Sequence, residues 1–141
     1  RIKATKKFPL NNLTNLGIKE INASKQANWR KPLFTKYGIY HKSNYKLYKE
    51  KFYELHNKLK QNLKFGDILV THNPWGEYGH EEHVLVHNVL LEIKKELQLE
   101  IYVTGYVSNR SIHAMNNRIG FLSENPIIFQ TDINIASSLT E

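Results

Sequence analysis

Residues 68–97 read ILVTHNPWGEYGHEEHVLVHNVLLEIKKEL, and this stretch decides the fold. Its opening run, Ile68-Leu69-Val70, is apolar and rich in β-branched side chains, which predicts a short buried strand. A proline and two glycines fall within residues 72–79 and are incompatible with regular structure, so this segment is predicted to be a loop. Apolar residues at helical spacing then predict a helix over about 80–97.

The flanking segments extend this stretch into a β-α-β unit with a helix before it. Residues 44–63 carry an apolar stripe at steps of three and four, which predicts a helix with Ser43 as its N-cap. Residues 99–104 alternate between apolar and polar side chains and predict a second strand. This order favours an α/β fold with a parallel sheet.

The length of 141 residues predicts a single domain. Residues 1–40 have weak periodicity and are interpreted as an irregular arm with short elements, in which Trp29 is expected to touch something larger. Residues 44–104 form the predicted core. Residues 105–141 are interpreted as a C-terminal extension, with a short strand at 126–129 and an extended arm over 130–141.

The net charge of +7 invites a nucleic-acid interpretation, which the details weaken. Sixteen of the twenty basic residues are Lys, whereas recognition of bases and phosphates favours Arg. The densest Lys stretch lies on the predicted helix over 44–63 and is interpreted as its solvated face. We therefore expect no nucleic-acid partner.

Other functional classes are excluded by what the sequence lacks. No apolar run approaches the ~18 residues of a membrane span, and no signal-peptide pattern opens the chain. The sequence has no cysteine, which removes disulfides, thiolate metal ligands and a cysteine nucleophile. The compartment stays open, with the cytoplasm favoured.

Histidines cluster where the predicted helix over 80–97 begins, at His80, His83 and His87. His83 is closest to the apolar stripe, and the helix starts after the carboxyl end of a predicted strand, where α/β proteins bind ligands. The positive end of the helix dipole favours neutral imidazole, the form that binds metals. The alternative is that such histidines lie on a solvated helix face without a role, which we expect for His87.

Residues 71–83, THNPWGEYGHEEH, resemble the second signature of the LmbE-like (PIG-L) family of metal-dependent N-deacetylases, which reads roughly T-H-x-P-x-G-E-Y-G-H-x-D-H after a strand. Glu81 and Glu82 stand where the family commonly has Pro and Asp. The signature spans about a tenth of the chain. The resemblance implies a Rossmann-like α/β fold with a mostly parallel sheet and flanking helices.

The resemblance also implies roles for three residues of the signature. His83 matches the zinc-binding histidine of the family. His80 matches the catalytic histidine that lies beside the scissile amide, and Tyr78 matches a catalytic loop residue that stabilises the tetrahedral oxyanion. Zinc is then the expected cofactor, because it polarises the amide carbonyl and lowers the pKa of its bound water to about 7.

Four other loop residues receive supporting roles. We expect Asn73 and Trp75 to contact the substrate, although Trp75 is equally compatible with a place in the core. His72 and Glu77 are expected to brace the loop through hydrogen bonds around the metal ligand. The Gly-rich loop lacks the spacing of either phosphate-binding fingerprint.

The family's first signature, H-P-D-D, has no counterpart in this sequence. It supplies a histidine and an aspartate to the metal and an aspartate as general base, whereas this chain has only Asp67 and Asp132 and no His-Pro pair. Three explanations stay open. The chain is the C-terminal part of a longer deacetylase, or it is a non-catalytic relative that binds a sugar, or Asp132 or glutamates rebuild the metal site.

The first explanation gives the expected function. We expect zinc-dependent removal of an N-acetyl group from an amino sugar or sugar-linked substrate, with the metal site completed by residues absent from these 141. The expected partners are this substrate and either the N-terminal remainder of the domain or a second copy of the chain. The alternative function is glycan binding without catalysis.

Overall fold

The structure is a computed structural model that describes residues 12–23 and 25–105, together with Ile112 and Asn116. The predicted strand over 126–129, the arm over 130–141 and the first eleven residues of the N-terminal arm lie outside the described residues.

The described residues combine helices with two small sheets, which confirms the α/β class in its coarse form. The predicted unit of helix, strand, loop, helix and strand is present in that order. The described part of the N-terminal arm, interpreted as irregular with short elements, contains a small hairpin. In chain order the elements are β1 (Phe34–Thr35), β2 (Gly38–Ile39), α1 (Tyr45–Lys60), β3 (Ile68–Thr71), α2 (Gly76–Gly79), α3 (Glu81–Leu97) and β4 (Glu100–Val103).

Both long helices follow their predicted ranges to within three residues at each end. The predicted cap of α1 is wrong by one position, because Asn44 is the N-cap and its side chain makes no capping hydrogen bond. The Tyr48 backbone N–H donates to the Asn44 carbonyl at 2.9 Å, so the first helical hydrogen bond starts one residue after Ser43.

Strands β3 and β4 pair in parallel, with Ile68 opposite Glu100 and Thr71 opposite Val103. This pairing confirms the predicted β-α-β unit and brings the carboxyl ends of both strands to one edge. The expectation of a fully buried strand is wrong, because Ile68 and Val70 are 66% and 78% exposed. Among the described residues, the helices cover only the face of β3 that carries Leu69. A Rossmann-like sheet stays a prediction, since the described parallel sheet has two strands.

The core lies between α1, α3 and the N-terminal segment. Tyr48 and Phe52 of α1 meet Val89 and Ile93 of α3, and Ile21 joins them from the segment before α1. The apolar stripes of both helices therefore do what their spacing predicts, burying side chains that would otherwise face water. Among the described residues, no helix is long and apolar enough to cross a membrane.

Candidate metal centre

Three potential metal ligands converge at the carboxyl end of β3. His72 follows the strand directly, Glu77 lies in the short helical turn α2, and His83 lies in the first turn of α3. One nitrogen or oxygen atom from each lies within 4.8 Å of those of the other two. The His72 and His83 rings are stacked, with centroids 3.7 Å apart and planes 8° apart. These three residues could hold a metal ion.

Glu77 holds the loop together from inside. One carboxylate oxygen, Oε1, accepts hydrogen bonds from the Thr104 hydroxyl at 2.6 Å and from the Asn73 backbone N–H at 3.1 Å. The Asn73 side-chain oxygen in turn accepts from the Glu77 backbone N–H at 2.7 Å. Glu77 itself has a left-handed φ of 58°, so these contacts fix a backbone conformation that L-residues rarely adopt.

The other oxygen of Glu77, Oε2, faces the two imidazoles. It lies 2.5 Å from His83 Nδ1 and 3.2 Å from His72 Nδ1. Because an ionised carboxylate can only accept, His83 Nδ1 carries the hydrogen and donates it. In a neutral His83 the other ring nitrogen, Nε2, then keeps its lone pair. Metal-binding histidines commonly carry this type of carboxylate partner on the nitrogen that does not bind the metal.

The pKa shifts favour this protonation state. Burial raises the pKa of Glu77, but hydrogen bonds from Thr104, Asn73 and His83 outweigh burial and hold it below its usual value. Burial lowers the pKa of His83 by more than its hydrogen bond with Glu77 raises it. At neutral pH the site therefore holds a charged carboxylate beside a neutral imidazole, and metal binding requires both forms.

The two residues predicted to be catalytic lie beside this cluster. The His80 ring stacks against His83 on centroids 4.3 Å apart, and the Tyr78 ring lies 6.0 Å from each of these two imidazoles. Tyr78 is 48% exposed, so its ring is open to solvent. His80 Nδ1 is buried, and no described residue hydrogen bonds to it. The structure thus brings His80, Tyr78 and His83 together.

The two residues predicted to bind substrate lie inside the protein. Asn73 is fully buried, and its amide group donates to the Thr104 carbonyl at 3.3 Å in addition to its contact with Glu77. Trp75 is 6% exposed, as its alternative place in the core requires. Their role in substrate binding stays a prediction.

Two residues behave differently from their sequence interpretation. His87 is 5% exposed rather than on the surface, because the chain after β3 returns across α3 and places the His72 carbonyl 2.9 Å from His87 Nδ1. Thr104 lies outside the signature at residues 71–83, so no sequence motif indicates its role. Its position one residue after β4 was the available signal, since the carboxyl ends of adjacent parallel strands lie at one edge.

The comparisons with known proteins add no relative to this picture, because no protein-family model, curated protein or solved structure matches the chain. The chemical class of the site therefore rests on its own geometry. That geometry is a His, Glu and His group with a tyrosine and a third histidine beside it.

Proposed function

We propose that the protein is a zinc-dependent N-deacetylase that acts on an N-acetylated amino sugar or sugar-linked substrate. The observation that carries this proposal is the 2.5 Å contact between His83 Nδ1 and Glu77 Oε2, in the same loop as Tyr78 and His80. The resemblance of residues 71–83 to the N-deacetylase signature supplies the reaction.

The donor set fits zinc. Two imidazoles and one carboxylate form a ligand set that catalytic zinc sites use, and such sites keep a further position open for water or substrate. In this chain His83, His72 and Glu77 would hold the ion, with Glu77 either as a ligand or as the partner that orients His83. When bound, zinc would polarise the amide carbonyl and activate water.

The chain's own residues would then stabilise the reaction around the ion. The Tyr78 hydroxyl would donate a hydrogen bond to the oxyanion that forms when the water oxygen adds to the amide carbon. His80 would give a proton to the amine nitrogen as the C–N bond breaks. The products are acetate and the free amine, so every atom of the amide and water is accounted for.

The general base is not assigned to a residue of this chain. The family's first signature supplies that base and two metal ligands, and these 141 residues contain no His-Pro pair. The proposal therefore includes a site completed by residues outside this sequence.

The test is acetate release by the full-length gene product with zinc, on N-acetylglucosamine-type substrates. We expect release that stops when a chelator removes zinc and in His83→Ala. His56→Ala is the matched control, because His56 lies on α1 and pairs with Glu96 instead. A folded, zinc-loaded protein that releases no acetate from these substrates would contradict the proposal.

The second candidate is a glycan-binding protein without catalysis. It is favoured by the missing first signature and by the scarcity of aspartate, which is present only as Asp67 and Asp132. Saturable binding of an N-acetylated sugar with no acetate released would support this alternative over hydrolysis.

A further inference from the structure

Glu81 is a fully buried carboxylate that the proposed chemistry does not use. Its oxygen Oε1 accepts from the backbone N–H groups of Gln26 and Ala27 at 3.0 and 2.9 Å. Its second oxygen accepts from the Lys25 N–H at 3.2 Å. Hydrogen bonds to an ionised carboxylate are stronger than neutral ones, so Glu81 anchors a segment more than fifty residues away in sequence.

The neighbouring Glu82 extends the same anchor. Its carboxylate accepts from the Ile21 N–H and, at 3.0 Å, from the Asn22 N–H. Asn22 and Lys25 both have left-handed φ values, of 57° and 70°, which bend the chain around the two carboxylates. Residues 20–23 and 25–29 are thereby held against the start of α3, and we call them the anchored segment.

The anchored segment ends with Trp29 packed on Gly79. A Cβ atom added to Gly79 would lie 3.0 Å from Trp29 Nε1 and 3.1 Å from Trp29 Cε2, tighter than most real Cβ contacts, so the indole would have to shift by a few tenths of an ångström. Gly79 also has a left-handed φ of 88°. Because Gly79 stands between Tyr78 and His80, the indole lies directly on the turn that carries both side chains.

This turn needs support from outside. Gly76, Glu77 and Gly79 all have left-handed φ values, of 67°, 58° and 88°. Glycine adopts positive φ without strain, so the strained residue of the turn is Glu77, whose conformation persists because surrounding contacts over-determine it. Glu77 supplies contacts on the inner side of the turn through Asn73 and Thr104. Trp29 supplies the contact on the other side, at Gly79.

We propose that Trp29, held in place by Glu81, is a positioning residue that fixes the turn at Gly79 and so sets where Tyr78 and His80 stand beside His83. For its effect on catalysis this inference rests on the proposed function. Trp29 acts through the turn and is not a metal ligand, so its removal should leave zinc binding intact.

The first test is the split between kinetic constants. Trp29→Ala should lower kcat about 10- to 100-fold while KM and zinc affinity stay within about threefold, because small displacements of reacting groups cost rate rather than binding. Trp29→Phe keeps an aromatic ring on Gly79 and should restore kcat to within about threefold of wild type. The control is Phe65→Ala, which removes an exposed aromatic side chain before the opposite end of β3.

Two results would overturn the positioning role. One is an unchanged kcat in Trp29→Ala. The other is a parallel loss of kcat and zinc affinity that Trp29→Phe fails to rescue, which is the behaviour of a residue needed only for folding.

The second test does not depend on catalysis, so it separates this inference from the proposed function. Hydrogen exchange of the backbone N–H groups of residues 78–80 is measured in Trp29→Ala, Gly79→Ala and the double variant. Gly79→Ala should raise exchange strongly beside the indole and much less in the Trp29→Ala background, where only the backbone strain remains. Effects that simply add would overturn the inference, even if the wild type proves to be a deacetylase.

Discussion

Two buried glutamates four residues apart, Glu77 and Glu81, hold the two regions that surround the candidate metal centre. Glu81 has both carboxylate oxygens occupied by backbone N–H groups of the anchored segment. Glu77 divides its oxygens, giving Oε1 to the loop and Oε2 to the imidazoles of His83 and His72. The same residue type therefore serves two different purposes at positions only four residues apart.

Glu77 and Glu81 differ in their hydrogen-bond partners, whereas both are buried. A backbone N–H has no lone pair for a metal and holds its proton at any physiological pH, so a carboxylate surrounded by such groups can only anchor. An imidazole exchanges a proton near neutrality and binds metals, so a carboxylate beside it tunes chemistry. We therefore expect Glu81 variants to change folding and Glu77 variants to change metal binding.

The largest expected effect is that of Glu81→Ala on stability. Truncation leaves three backbone N–H groups without their charged acceptor and opens a cavity, which should cost about 3 kcal/mol. Urea unfolding of both proteins measures this difference. Leu91→Ala, which truncates an exposed residue of α3, is the control for substitution in that helix. Equal stability of Glu81→Ala and wild type would remove the anchoring role.

Glu77→Gln should lower zinc affinity about 10- to 100-fold, as expected when the carboxylate partner of a metal-binding histidine is lost. The glutamine side chain keeps the size of the original and one acceptor oxygen, so the loop retains most of its shape. Calorimetric titration with zinc measures the change. Glu81→Gln is the matched control and should shift zinc affinity by less than about threefold. An equal loss of zinc affinity in both variants would contradict the assignment of metal binding to Glu77 and of anchoring to Glu81.

Much of this arrangement was predictable because its signals are local. The spacing of apolar residues predicts α1 and α3, and the strand before the loop predicts the parallel pairing of β3 with β4. His80 and His83 are three residues apart at the start of one helix, so their proximity follows from helical geometry. The bracing role of Glu77 followed from the resemblance, and its contacts agree with it.

What the sequence did not predict depends on contacts between distant residues. Glu81 has the pattern of a solvated acidic residue in a first helical turn, and nothing local indicates that residues 25–27 fold over it. His87 is buried for the same kind of reason, since a loop returns across it. For Ile68 and Val70 the error is the reverse, since they are predicted to be buried but are exposed. Their apolar run does not indicate that the described residues cover only one face of the strand.

Tyr48→Phe should show how a buried tyrosine hydroxyl lowers the stability of the protein at high pH. Burial, followed by the nearby charges of Glu81 and Glu82, raises the pKa of the Tyr48 hydroxyl well above its usual value. Its stabilising contribution is complete below the unfolded pKa of about 10 and is lost as the pH rises above it, because only the unfolded state then releases the proton. Each pH unit in that range costs up to about 1.4 kcal/mol.

Urea unfolding at pH 8, 10 and 11 should therefore show a steeper loss of stability in wild type than in Tyr48→Phe. The Tyr48 hydroxyl is buried without a hydrogen-bond partner among the described residues, so its removal should cost little at pH 8. Tyr40→Phe, at an exposed tyrosine that follows β2, is the control. Parallel pH profiles in wild type and Tyr48→Phe would contradict the assignment.

Glu92→Gln should have the smallest effect, and it gives the comparison a reference on the protein surface, because the Glu92 side chain is 29% exposed. Glu92 contacts Lys36 and Lys95 at 3.0 Å each, and the hydrogen bond from Lys36 leads the interactions that hold its pKa below the usual value. That contribution is present above the unfolded pKa of about 4.3 and is lost as the pH falls through the folded pKa.

At about 1 M salt the Debye length is near 3 Å, so an exposed pair is screened while the buried Glu81 anchor is not. We measure the free energy of unfolding of wild type, Glu92→Gln and Glu81→Gln in low and high salt. The difference between Glu92→Gln and wild type should disappear in high salt, whereas the difference between Glu81→Gln and wild type should remain. If the difference between Glu81→Gln and wild type also disappeared in high salt, the Glu81 carboxylate would be accessible to solvent ions, and the anchored segment would not be closed over it.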